Sequence, residues 1–199
     1  MDEPIEINLK PVTHLTADAI GPPGQRVFYL QGWKGDRVAT VIIEKFQLQQ
    51  LAIGVEQFLA ELSQRLPLLA AASNDFEEDR MHIHPPVEPL FRVAEFGLAY
   101  DPEEDLMGLI ARETPSQPNP TPIETIKEMM LSESENDEPE EEVEPPGGIV
   151  RFWATRHQMR ALVHWGIEVT QRGRPLCEQC GQPMDPEGHF CSRKNGHKR

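Results

Sequence analysis

Residues 114–147 are rich in Pro, Glu and Ser, contain no aromatic side chain, and place ten carboxylates against one Lys between positions 124 and 144, a net −9. So polar a stretch cannot bury enough apolar surface to offset the entropy of an ordered chain. It is predicted to be a disordered acidic insert. Whatever folds must therefore be assembled from residues 1–113 and 148–173, with a separate tail at 174–199. That is enough chain for one ordinary core and too little for two full-sized domains. Within the insert, Ile123, Ile126, Met129 and Met130 fall at helical spacing and could order against a partner groove.

The insert also explains the charge. The formal net charge is −14, and the ten carboxylates and one Lys account for −9 of it. The remainder is only mildly acidic. Arg193, Lys194, Lys198 and Arg199 reverse the sign at the end of the chain, but a duplex-binding surface needs a broader basic patch. No run of roughly 18 apolar residues is present, and the acidic opening Met-Asp-Glu-Pro lacks the positive charge of a secretory signal. A cytoplasmic protein is expected.

Residues 25–33 alternate apolar and polar side chains, Lys34-Gly35-Asp36 reverses the chain, and residues 38–43 form the return strand. Leu48, Leu51, Ala52, Val55, Phe58, Leu59 and Leu62 then mark one stripe of a helix. A second strand pair is predicted at 90–100 and 106–111, turned through residues 101–105, and a further strand at 149–153. Thr155 and Gln158 have the spacing of a capping box, so a second helix starts near Arg156. Its stripe is Met159, Leu162, Val163, Gly166 and Ile167, and Gly173 and Pro175 end it. The order suits an α+β domain: an antiparallel sheet with both helices on one face. The two halves look loosely alike.

Cys177 and Cys180 are two residues apart and followed by Gly181, which is free to adopt the turn of a zinc knuckle; His189 and Cys191 return after a short loop. Cys177, Cys180, His189 and Cys191 are the predicted ligands of one structural zinc, with His197 as the alternative fourth ligand. Such a closed set stabilises a fold and leaves no position for water activation. A redox Cys-x-x-Cys would sit at a helix N-terminus, and this one follows a helix stop.

Other groups are weaker candidates. His82 and His84, with Asp79 nearby, could form a second metal site, while His14, His157 and His164 stand alone. Arg26, Glu44, Lys45, Arg92 and Asp101 are the charges in or beside strands, and an enzyme would need Arg26, Arg92 and Asp101 to converge. Trp33, Trp153 and Trp165 are expected core anchors. No Gly-rich phosphate loop, Gly-x-Ser-x-Gly elbow or His-Glu-x-x-His is present.

Gly24-Gln-Arg-Val-Phe-Tyr-Leu-Gln31, Glu44-Lys45, Pro89-Leu-Phe-Arg-Val93, Gly97-Leu-Ala-Tyr-Asp101 and the tail from Gly173 to Cys191 together resemble a bacterial family of conserved hypothetical proteins, domain of unknown function 3090. The resemblance implies a cytoplasmic bacterial protein and carries no assigned activity. Relatives have Gly-His-x-Cys-Pro in the tail, which supports His189; Ser192 here replaces the usual Pro, and His197 the usual aromatic residue. The resulting expectation is a zinc-binding accessory module for another protein, with nucleic-acid binding through the zinc ribbon and Lys194, Lys198 and Arg199 as the alternative.

Overall fold

The computed structural model describes residues 5–113, 147–173, 177–181, 184, 191 and 193. The predicted disordered insert, apart from Gly147, lies outside the described residues. The elements are β1 (Glu6–Leu9), β2 (His14–Ile20), β3 (Val27–Lys34), β4 (Arg37–Ile43), α1 (Lys45–Arg65), β5 (Pro89–Asp101), β6 (Leu106–Glu113), β7 (Ile149–Thr155) and α2 (Arg156–Gln171). One 3-10 turn, Glu78–Arg80, lies in the strap of residues 66–88 that joins α1 to β5. Both helices match their predicted stripes, although Phe58 and Ile167 are only half-buried and Trp165 is fully buried. Trp33 and Trp153 are half-buried.

The sheet is mixed, and the expectation of an antiparallel sheet is corrected at two places. In the order β1-β7-β6-β5-β4-β3-β2, β1 runs parallel to β7 and β4 parallel to β5. The second case follows from the crossover: α1 and the strap return the chain to the end where β4 began, so β5 must start in the same direction. Beyond a register shift between Val93 and Glu95, β5 pairs antiparallel with β6.

This strand order forces the sheet to roll. Six gaps of about 4.8 Å would set the outer strands of a flat sheet about 29 Å apart. The five steps from Leu9 in β1 to His14 in β2 span at most about 18 Å. The link is itself bonded on both sides, with Val12 N–H donating to Trp153 O of β7 at 2.8 Å and Thr13 N–H to Trp33 O of β3 at 2.7 Å. With its link, β1-β2 acts as one bent strand and closes a barrel. Leu9, Leu30, Val41, Leu109 and Phe152 are fully buried and belong to its core.

The two halves share one plan. In β2-β3-β4-α1 and in β5-β6-β7-α2, three antiparallel strands lead into a helix. Each helix carries Gln three residues after its cap: Gln47 Oε1 accepts Glu44 N–H at 2.8 Å, and Gln158 Oε1 accepts Thr155 N–H at 3.0 Å. Each glutamine also reaches back to a first strand at its bend, Gln47 Nε2 to Val93 O at 2.9 Å and Gln158 Nε2 to Val12 O at 3.5 Å. The helices pack on each other closely enough that a Cβ at Gly166 would lie 2.7 Å from Leu48 Cδ1.

Asp105 ties the second half together. It sits in the left-handed region at φ 50°, accepts Arg156 Nε at 2.8 Å and Nη2 at 3.0 Å, and accepts Tyr100 O–H at 2.8 Å. Arg156 is buried and also donates to Ala70 O of the strap. Its guanidinium holds the Asp105 carboxyl below the usual carboxylate range. A depressed folded-state pKa contributes stability above the unfolded value, about 3.9, and loses it as pH falls through the folded value. Asp105→Asn, which tolerates the same φ, is therefore expected to melt lower than the parent at pH 7. The gap should narrow below about pH 4; thermal melts at pH 7, 5 and 3 that keep a constant gap would contradict this.

Candidate metal centre and histidine cleft

Gly181 takes φ +72° and donates its N–H to Cys177 O at 2.8 Å, a tight turn that brings Cys180 back over Cys177. Cys191 arrives beside them. The three Sγ atoms lie within 4.8 Å of one another, and Cys177 and Cys191 are 3.9 Å apart. Thiolates on one tetrahedral zinc, each at about 2.3 Å, are about 3.8 Å apart, so the spacing fits such an ion. Cys191 is buried, and Arg193 Nη1 donates to Gln179 O at 2.7 Å, which ties Arg193 to the turn. The backbone N–H groups of Cys180 and Gln179 hold the Cys177 thiol below the usual thiol range, which favours the thiolate that a metal needs. His189 and His197, the alternative fourth ligands, lie outside the described residues, as do Lys194, Lys198 and Arg199. Among the described residues, these three cysteines form the one group of three or more metal-ligating side chains at such distances.

The strand-borne charges do not assemble. Arg92 pairs with Glu44 at the surface, and Asp101 accepts Lys10 Nζ at 2.5 Å. Arg92 and Asp101 are nine residues apart on β5, about 30 Å of strand. They cannot act on one reacting centre.

The histidines are placed differently from their sequence spacing. His82 turns away from His84: its Nδ1 lies 3.1 Å from Asp18 Oδ2 and its ring meets Trp165 edge-on at 5.2 Å between centroids. His84 instead lies beside His14 of β2, with ring centroids 5.7 Å apart. His14 and Arg80 line two adjoining cavities between the strap and the barrel. One, of about 410 Å³, also takes in His157, Phe76 and Met81; the other, of about 440 Å³, takes in Trp33, Asp79 and His84. His157 Nδ1 accepts Ser73 N–H at 2.7 Å, so its neutral form carries the proton on Nε2. His164 bonds Glu56 at 3.1 Å, beside a two-point Arg160–Glu56 pair. Burial, with His84 and Arg80 adding to it, holds His14 below the usual histidine range.

Gln31 positions the cleft. It is fully buried on β3, alternating with the inward Leu30, and faces the strap. Its Nε2 lies 2.9 Å from His84 O, 3.1 Å from Pro86 O and 3.0 Å from Thr40 Oγ1. Its Oε1 accepts His84 N–H at 3.0 Å and Trp33 Nε1–H at 3.1 Å. Thr16 adds a bond to Met81 O. A lone Gln within an apolar strand was the signal available for this clamp, and sequence reasoning passed over it.

The family model that matches residues 7–191 is described as a protein of unknown function (DUF3090). No curated protein matches, and no solved structure matches.

Proposed function

We propose that this chain, which belongs to the DUF3090 family of proteins of unknown function, is a cytoplasmic zinc-binding protein that serves as an accessory module for a protein partner. The observation that carries the reading is the convergence of three cysteine Sγ atoms within 4.8 Å at a Cys-x-x-Cys-Gly turn. Cys177, Cys180 and Cys191 supply three thiolates, and His189 completes a Cys3His set. Thiolate and imidazole donors suit zinc, and four protein ligands leave it no open position. The ion then acts through shape: it holds a short tail in a defined form that can be recognised, with metal binding supplying the folding free energy that so few residues lack.

Metal analysis of the purified full chain should return one zinc per molecule, absent from the Cys177→Ser/Cys180→Ser double variant. His189→Ala should weaken zinc retention against a chelator and His197→Ala leave it unchanged. A metal-free chain whose tail amides are nonetheless protected from exchange would overturn the zinc reading. For the accessory role, affinity capture from the native cell should recover the same partner with the full chain and lose it with the double-cysteine variant. Recovery that ignores those cysteines would remove the tail from the interaction.

A further inference from the structure

We infer that His14 and His84 form a second metal site, for a first-row divalent transition-metal ion, in the cavity beneath the strap. His14 Nε2 is buried without a hydrogen-bond partner, and a buried polar atom left unpaired calls for an explanation. The neighbouring ring is a second imidazole at 5.7 Å between centroids. Two imidazoles bound to one ion at about 2.0 to 2.1 Å place their centroids about 4.5 to 6.4 Å apart, depending on the angle at the metal. The observed spacing falls inside that window.

The scaffold fixes the backbone that carries both rings. His14 opens β2 opposite Trp33, and His84 is fixed through its own N–H and C=O by Gln31. Asp79 lines the same cavity, but its carboxylate does not close a three-ligand group with the imidazoles. Arg80 also lines the cavity; its side chain is 75% exposed and 3.8 Å from Glu77, so its charge is solvated and partly balanced. Imidazole nitrogen with a nearby carboxylate selects zinc, nickel or copper over magnesium or calcium. With two protein ligands in a cavity of about 440 Å³, the ion keeps open positions for water or a small ligand, unlike the closed site proposed for the tail.

The test is calorimetric titration of the zinc-loaded full chain with Ni²⁺, together with the spin-resonance spectrum of the Cu²⁺ form. One further equivalent of Ni²⁺ and nitrogen splitting in the Cu²⁺ spectrum are expected. His14→Ala and His84→Ala should each weaken Ni²⁺ binding about tenfold or more, and His82→Ala should leave it unchanged. His84 lies in the strap, so its variant keeps the test valid if His14→Ala folds poorly. Repeating the titration with Cys177, Cys180 and Cys191 changed to Ser makes the result independent of the tail. No uptake by the parent chain, uptake indifferent to His84→Ala, or an equal loss in His82→Ala would overturn the site.

Discussion

Phe152→Ala is expected to lower the unfolding free energy by about 3 to 5 kcal/mol, the range for removing a fully buried aromatic ring. The ring fills the barrel from β7 and lies over Gly32 of β3, where a Cβ would stand 2.7 Å from Phe152 Cε1 and 3.4 Å from Leu15 Cδ1. Gly32 is thus small because Phe152 is large. Gly32→Ala alone should cost about 1 to 3 kcal/mol by overpacking. In the Gly32→Ala/Phe152→Leu pair, the shorter side chain should return part of that loss, with a coupling energy of about 0.5 to 3 kcal/mol. Urea unfolding of the four proteins measures it. Strict additivity would mean that the two residues do not meet across the barrel.

Gln31→Leu is the other change with a large expected effect. Leucine fits the volume but strands His84 N–H and the carbonyls of His84 and Pro86, which Gln31 now satisfies. Each buried group left unpaired costs about 1 to 3 kcal/mol, and water entry recovers some of it. A net loss of about 3 kcal/mol is expected. It should be local before it is global: the strap is held to the sheet here, by Thr16 and by Asp18, so His84 N–H should exchange with solvent far faster while the amides of α2 remain protected. Limited proteolysis should cut within residues 71–88 first. Equal loss of protection throughout the molecule would show that Gln31 supports the whole core instead.

The legible parts of the fold were those with a local physical signature. The apolar stripes of α1 and α2 recur within one turn, and Thr155 and Gln158 announce their cap from three residues apart. The hairpins come with their turns. In β2 Leu15, Ala17 and Ala19 alternate, but alanines carry little apolar weight and the pattern does not announce a strand. The parallel pairs were not legible, because β1 meets β7 across some 140 positions of chain and no neighbouring residue marks that register. The same contrast divides the sites. Cys177 and Cys180 declare themselves by spacing, and Cys191 follows on the same short tail. Spacing alone pairs His84 with His82, its neighbour in sequence, whereas the strap carries it to His14, 70 positions away.

Closure of the barrel through residues 10–13 governs how this protein can meet others. An open sheet offers its outermost backbone N–H and C=O groups as a template for an added strand, and many partners bind in that way. Here the two outermost strands are joined through residues 10–13 and each is bonded along one side, β1 to β7 and β2 to β3, so among the described residues the open edge is confined to the outer sides of these two short strands. Most of the surface such a barrel presents is therefore side chains and the connections between elements. The same seam shortens the edge open to strand-to-strand aggregation.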